Sequence, residues 1–211
     1  MAIVVITFII GFVAGCTASA SLFLWQRKPA SQGQKAVDVA MRAILALDDL
    51  VRSCHAAALD YPDFDEEDPG QYYLHTDDPQ LVLPRELAWT LLGEKFANEL
   101  AWLPNRLGNI IDGLAAIDID PPDFNGYFEH RQYEFAQLGL AAADLLDRLC
   151  EAFRLPQPER PSFYDPLGEL KQQTIELASY FRRSRESSTN VPADASNVTS
   201  IFSSGKFDPE R

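Results

Sequence analysis

The feature that most constrains this chain is an uncharged segment directly after the first methionine. Residues 2–25 contain no Asp, Glu, Lys, Arg or His, and most of their side chains are apolar. A helix rises 1.5 Å per residue, so about 20 apolar residues cross the roughly 30 Å hydrocarbon layer of a bilayer. The segment therefore predicts a single transmembrane helix, with residues 1–26 as the membrane anchor.

Positive charges next to the anchor predict its orientation. Arg27, Lys28 and Lys35 follow the apolar segment, and no acidic residue occurs before Asp38. Because cations are enriched on the cytoplasmic side of a membrane span, we expect a single-pass membrane protein with the bulk of the chain in the cytoplasm. Residues 27–34 contain proline, serine and glycine and are interpreted as a juxtamembrane hinge.

A short motif inside the anchor supports an alternative. Residues 13–16, Val-Ala-Gly-Cys, resemble the lipobox of bacterial lipoproteins, in which the chain is cleaved before an acylated cysteine. The resemblance implies a lipoprotein-like periplasmic protein acylated at Cys16. A secretory signal begins with basic residues, which residues 1–4 lack, and cleavage would leave an apolar remnant at 21–25. The uncleaved anchor is therefore the preferred interpretation.

The charge of the remaining chain limits its partners. Residues 36–211 carry 15 basic and 31 acidic side chains. A body with this excess of negative charge repels the phosphates of nucleic acids, so we expect no nucleic-acid partner. The expected contacts are with the membrane, through residues 2–25, and with another protein.

Helical periodicity dominates residues 35–186, which we interpret as one helical domain. Apolar side chains recur at spacings of three and four residues, as in helices with one buried face, and no stretch alternates as a strand would. The predicted fold class is all-α, with the N-terminal transmembrane helix followed by a four- or five-helix bundle. The helical stretches are 34–59, 84–117, 125–153 and 167–185.

Prolines and polar residues set the expected boundaries of these elements. Pro84 is suited to the first turn of a helix, where no amide donor is needed. Pro104 is expected to divide the stretch 84–117 into two helices that meet at a kink near the proline. Residues 187–211 are rich in serine, threonine, asparagine and proline and are predicted to form a disordered tail.

Residues 61–83, which we call the acidic loop, interrupt the helical pattern. They contain three prolines and seven acidic residues but no lysine or arginine. Aromatic residues interleave with the acids, and we expect them to pack onto the helices while the carboxylates stay in water. Because tyrosine is enriched among the residues that contribute most to protein interfaces, the candidate partner-binding residues are Tyr61, Phe64, Tyr72 and Tyr73.

No motif in the sequence commits the chain to a reaction. Nucleophile-elbow, phosphate-loop and dinucleotide-binding patterns are all missing, so we assign no catalytic, cofactor-binding or metal-binding residue. Residues 63–68 alternate acids as a calcium loop does, but Asp68 stands where that loop needs glycine. Cys54 and Cys150 fall on apolar stripes and are expected to be small buried hydrophobic residues.

These observations favour a membrane-tethered helical protein-interaction module without catalytic activity. Tethering raises the local concentration of a weak binder, so a modest affinity suffices. The alternative is an enzyme or small-ligand binder with a pocket inside the bundle. Its polar and aromatic candidates are His130, Arg131, Glu134, Trp89 and Trp102. The oligomeric state stays open.

Overall fold

A computed structural model of the protein describes residues 32–68, 70–84, 88–121 and 124–189. The predicted anchor over residues 1–26, with Cys16, lies outside these ranges, as do residues 190–211 of the predicted tail. Across the described residues, no helix combines the length and the apolar character that crossing a bilayer requires.

The described chain is predominantly helical, which confirms the predicted all-α class and the helical bundle. Four long helices, one 3₁₀ turn and a small antiparallel ribbon make up its described elements. In chain order they are α1 (Gln32–Ala58), β1 (Asp63–Phe64), β2 (Tyr72–Tyr73), the 3₁₀ turn (Trp89–Leu92), α2 (Glu94–Ala115), α3 (Tyr127–Phe153) and α4 (Pro166–Thr189). The first helix begins inside the segment 27–34 that we interpreted as a hinge.

Two predictions about the second helical stretch are wrong. Pro84 does not start a helix, because α2 begins only after the 3₁₀ turn and Gly93. The backbone of Gly93 has φ 87° and ψ 155°, which lies far from helical values, so the turn cannot run on into α2. Pro104 does not divide the stretch either, since α2 continues through it. Leu103 and Leu107 are buried on either side of the proline, and this burial offsets the lost backbone hydrogen bond.

The described chain falls into two compact units. In the first unit, the apolar stripes predicted from spacing supply most of the buried side chains. Its described segments are 32–49, 81–84, 88–106 and Ala143–Glu159. Its buried apolar residues are Val39, Ala40, Ala43, Ile44, Leu47, Leu92, Leu100, Leu103, Ala143, Leu145, Leu146, Leu149 and Cys150. Burial raises the pKa of the Cys150 thiol, so this cysteine behaves as the expected small hydrophobic residue.

The second unit holds most of the acidic loop. Its described segments are 50–68, 70–80, 107–121, 124–142 and 160–189. A β-carbon added to Gly139 would lie 3.0 Å from both Cys54 Cβ and Leu170 Cδ1, so the glycine lets α3 approach its neighbours closely. Cys54 is fully buried there, as predicted, and forms no disulfide. The largest buried apolar side chains are Leu50, Val51, Leu107, Ile110, Leu114, Phe128, Phe135, Leu138, Leu170 and Leu177.

Candidate binding groove

A buried carboxylate fixes the start of the acidic loop in the second unit. Asp60 accepts hydrogen bonds from the backbone amide of Thr76 (2.9 Å), from the Thr76 hydroxyl (2.7 Å) and from the backbone amide of His75 (3.1 Å). Burial raises the pKa of Asp60, but these hydrogen bonds together outweigh it and hold the pKa below its usual value. The ionised Asp60 therefore binds the far side of the loop next to the end of α1.

Arg131 completes this network from α3. Its side chain is 1% exposed. The guanidinium donates to the carbonyl oxygens of Ala57 (3.0 Å) and Thr76 (3.1 Å) and to the carboxylate of Asp78 (3.2 Å). Its Nη1 atom also lies 3.7 Å from the Asp60 carboxylate. Arg131, a candidate pocket residue in the sequence, thus serves to hold the loop.

His75 links the same carboxylate to the ribbon. Its Nδ1 atom lies 3.1 Å from Asp60 Oδ1, and its Nε2 atom lies 3.1 Å from Asp63 Oδ2. The hydrogen bond to Asp60 and the negative charge of Asp63 raise the pKa of His75. Only the protonated ring can donate from both nitrogens, so protonation of His75 tightens the link.

The ribbon directs two of the loop aromatics onto the helices. Phe64 pairs with Tyr72 across the two strands, so their side chains share one face. On that face they pack with Phe124 and Phe128 in tilted and edge-to-face contacts, at centroid distances of 4.9–5.8 Å. This arrangement agrees with the expected packing of loop aromatics, whereas Tyr61 and Tyr73 are exposed.

Two carboxylates near the tip of the acidic loop make local hydrogen bonds. Asp65 Oδ1 accepts from the backbone amide of Glu67 at 2.7 Å, and Asp68 Oδ1 accepts from that of Gly70 at 3.0 Å. These contacts are the local turn hydrogen bonds that aspartate commonly makes. In the part of the chain that the structure describes, no three His, Cys, Asp or Glu side chains are placed to hold a metal ion.

A groove of about 540 Å³ opens beside this anchored loop, and we call it the aromatic groove. Its wall includes Tyr61, Phe64 and Tyr180, whose exposed fractions are 61%, 47% and 41%. Phe128 and Leu177 contribute buried apolar surface to the same groove. Of the four candidate partner-binding residues, Tyr61 and Phe64 lie on this wall. Tyr72 does not line the groove but contacts Phe124 and Phe128, which do, and Tyr73 is exposed outside it.

A strained turn sets the position of the groove wall at the start of α3. Asn125 and Gly126 both have left-handed backbones, with φ values of 50° and 72°. The Asn125 side chain donates to the carbonyl oxygen of Asp118 at 2.6 Å, which stabilises a conformation that non-glycine residues rarely adopt. Phe124 precedes this turn in the chain, and Phe128 follows it in the first turn of α3.

Two buried amides also line the aromatic groove. Gln173 Nε2 donates to Gln132 Oε1 at 3.1 Å, and Gln132 Nε2 donates to the carbonyl oxygen of Asp60 at 3.0 Å. This chain of hydrogen bonds fixes the orientation of both amides and connects α4 through α3 to the anchored loop. The groove is therefore held in shape by polar contacts beneath its aromatic wall.

The charged side chains that line the aromatic groove are both acidic. Glu129 comes from α3 and Glu176 from α4. No lysine or arginine of the described residues lines this groove. The groove consequently combines apolar faces with negative charge.

A second groove, of about 610 Å³, lies in the same unit and contains two of the candidates for a small-molecule pocket. His130 and Glu134 line it, and the His130 ring stacks on Phe181 with a centroid distance of 4.6 Å. We call it the histidine groove. Trp89 and Trp102 belong to the first unit, where Trp102 is 69% exposed, and they line neither of these two grooves.

Sequence reasoning missed several residues of the aromatic groove and its support, although a signal was present for two of them. Gln132 falls between Phe128 and Phe135 at helical spacing, and Gln173 falls between Leu170 and Leu177. A polar residue on an apolar stripe is expected to have a buried hydrogen-bond partner. The other missed residues are Asp60, Phe124, Glu129, Glu176 and Tyr180, which lie in loops or on helix surfaces.

No family model, no curated protein and no solved structure matches this chain. The aromatic groove is therefore interpreted from its own chemistry: part-exposed aromatic faces, fixed amides and two lining carboxylates.

Proposed function

We propose that this protein is a membrane-tethered helical interaction module that binds a segment of another protein in the aromatic groove, without catalysing a reaction. The observation that supports this most directly is the convergence of Tyr61, Phe64 and Tyr180 on one groove. Partly exposed aromatic side chains around a buried apolar surface are typical of the residues that dominate protein interfaces.

Anchoring of the loop supports a binding role. Tyr61 and Phe64 lie on the acidic loop, which the hydrogen bonds of Asp60 and Arg131 hold in one conformation. A binding surface that is already ordered loses less conformational entropy when a partner binds. The groove can therefore bind a short segment with useful affinity despite its modest size.

The proposed tether is the uncharged segment over residues 2–25. With Arg27, Lys28 and Lys35 following it, the groove would face the cytoplasm. Protease treatment of spheroplasts should then leave the body intact, whereas a periplasmic body would be digested. Mass spectrometry of the mature N-terminus also distinguishes the cytoplasmic from the periplasmic location. A diacylglyceryl Cys16 terminus would contradict both the uncleaved anchor and the cytoplasmic location.

The binding role is tested by site-specific photo-crosslinking in native membranes. With p-benzoylphenylalanine at position 61 or 180, we expect the same partner protein to be cross-linked from both positions. The same probe at Trp102, an exposed aromatic of the first unit, is the matched control and should not yield that adduct.

Purified components then test the groove directly. The identified partner should bind the full chain at least tenfold more tightly than the variant Tyr61→Ala/Tyr180→Ala. Equal affinities would contradict the proposal. Deletion of the acidic loop is unsuitable for this purpose, because it would also remove the Thr76 and Asp78 groups that bind Arg131.

A second candidate function is small-ligand binding in the histidine groove. Its volume of about 610 Å³ falls within the range of small-molecule pockets, and His130, Glu134 and Phe181 meet there. Equilibrium dialysis of the full chain against a small-molecule extract, followed by mass spectrometry, should then enrich a compound that Phe181→Ala fails to retain. No enrichment, or equal enrichment by both proteins, would contradict this role.

A further inference from the structure

The charge of the aromatic groove points to the chemistry of its occupant. Glu129 and Glu176 line the groove from two different helices, and no lining side chain of the described residues is a lysine or arginine. Placing an anionic segment there would bring like charges together without a compensating cation, which costs free energy. A segment that carries positive charge would instead complement both carboxylates.

The acidic loop, which supplies Tyr61 and Phe64 to the groove, carries further negative charge. The acidic loop contains seven carboxylates and no lysine or arginine, and Glu66, Glu67 and Asp68 near its tip are exposed. Because a surface of one sign accelerates the encounter with an oppositely charged segment, cationic partners would associate faster at low ionic strength. Nucleic acids and anionic lipid headgroups would be repelled.

The aromatic wall favours one cation over another. Tyr61, Phe64 and Tyr180 are partly exposed and line the same groove as the two glutamates. A guanidinium is planar, stacks on aromatic rings and pairs with a carboxylate through two parallel hydrogen bonds, whereas an ammonium is a compact and strongly hydrated charge. The groove therefore offers arginine both of its preferred contacts.

We infer that the occupant of the aromatic groove is an arginine-containing segment of the partner protein. The inference rests on the proposed function and adds the chemical class of the partner. Arginine side chains of the segment stack on the aromatic wall and pair with Glu129 and Glu176, while apolar side chains of the segment contact Phe128 and Leu177.

Two matched peptides test the charge requirement on the full-length chain in detergent. The probes are fluorescein-labelled nonapeptides in which leucine alternates with arginine or with citrulline, the uncharged analogue of arginine. By fluorescence anisotropy, we expect the arginine peptide to bind at least tenfold more tightly than the citrulline peptide. Raising the salt from about 50 to about 300 mM should weaken the arginine peptide alone. Equal binding of the two peptides would overturn the inference.

Paired charge variants localise the effect. Glu129→Gln/Glu176→Gln should weaken the arginine peptide about tenfold, because two partly exposed ion pairs are lost. The control Asp112→Asn/Glu151→Gln removes the same charge from exposed sites outside the groove and should change the affinity less than twofold. Equal losses in both double variants would show diffuse attraction and would overturn the assignment to the groove.

The outcomes separate this inference from the proposed function. If Tyr61→Ala/Tyr180→Ala abolishes binding of the cross-linked partner while the glutamine variants leave it unchanged, the groove binds a protein but the occupant is not cationic. If neither set of variants matters, the proposed function fails as well. Concentration-dependent self-association that the glutamine variants remove would assign the groove to a second copy of this chain and would overturn the choice of a partner protein.

Discussion

Two arginines on α3, one in each unit, have different structural roles. Arg148, in the first unit, is 32% exposed, donates to Glu99 at 2.9 Å and to Asp144 at 2.9 Å, and has a raised pKa because of these contacts. Arg131, in the second unit, is buried and donates to two backbone carbonyls and a carboxylate. Arg148 links α3 to α2 at a partly exposed position. Arg131 is buried and binds groups of the acidic loop.

This difference shows what each region relies on for its shape. In the first unit, apolar stripes already pack the helices, so a partly exposed ion pair adds little. In the second unit, much of the acidic loop is polar, and its ring contacts with Phe124 and Phe128 come from Phe64 and Tyr72 of the ribbon. The conformation of the rest of the loop depends on the buried contacts of Asp60 and Arg131.

Replacing each arginine tests most directly whether the two units depend on their arginines to different degrees. Arg131→Met removes the guanidinium beside the buried Asp60 carboxylate and the donors to the carbonyls of Ala57 and Thr76, so we expect it to lower the free energy of unfolding by about 3–5 kcal/mol. Arg148→Met should lower it by about 0–1 kcal/mol. Urea denaturation followed by circular dichroism measures both, and similar losses would contradict the distinction between the units.

Much of the fold could be predicted because helix periodicity is local. The stripes that contain Leu47, Leu103 and Leu149 follow from spacings of three and four residues, and all three residues are buried. Pro104 shows the limit of local rules. A proline is expected to end a helix, yet the apolar stripe continues past it and α2 stays continuous.

The candidate groove could be predicted only in part because its supports join residues far apart in sequence. Arg131 binds the carbonyl of Ala57, 74 positions earlier, and Gln173 binds Gln132, 41 positions earlier. Spacing along the chain carries no information about such pairs. The exposed aromatic residues of the loop were recognisable by composition, whereas Tyr180 resembles any tyrosine on a helix surface.

Within the second unit, two glycines separate the effect of packing from the effect of helix propensity. A side chain at Gly139 would meet Cys54 and Leu170 at close range, so Gly139→Val should destabilise the protein by about 1–3 kcal/mol. Gly113 lies in α2 with nothing within 4 Å of an added β-carbon. Gly113→Ala should therefore stabilise the protein by about 0.5–1 kcal/mol, through helix propensity alone. Thermal unfolding measures both, and destabilisation by Gly113→Ala would contradict this account of the helix surface.

Two residues with left-handed backbones give a smaller contrast between the units. Arg154 follows α3 in the first unit with φ 53°, and Asn125 precedes it in the second with φ 50°. Glycine relieves the strain at Arg154, so Arg154→Gly should add about 0.5–1 kcal/mol of stability. Asn125→Gly should gain nothing, because it also loses the hydrogen bond to Asp118. Equal gains in urea denaturation would show that the Asn125 side chain contributes no stability.

The smallest expected effect is a pH dependence confined to the second unit. All three histidines of the sequence, His55, His75 and His130, belong to that unit. Asp60 and Asp63 raise the pKa of His75 above 6.5, so its contribution to stability is complete below pH 6.5 and is lost as the pH rises through the higher folded-state pKa. Wild type should thus lose stability between about pH 6 and about pH 8.5, and His75→Gln should lose less over that range.

Residue-resolved hydrogen exchange can show which amides lose protection as the pH rises. Between the same two pH values, and after correction for the intrinsic exchange rate, protection should fall at the His75 and Thr76 amides, which donate to Asp60. The amides of the first unit serve as the internal control because no histidine lies among them. Equal loss of protection in both units would mean that the pH dependence reflects global unfolding. A pH dependence that His75→Gln retains in full would mean that the link between His75, Asp60 and Asp63 does not stabilise the loop. The polar support of the aromatic groove would then come from Arg131, from the Thr76 hydrogen bonds to Asp60 and from the two glutamines.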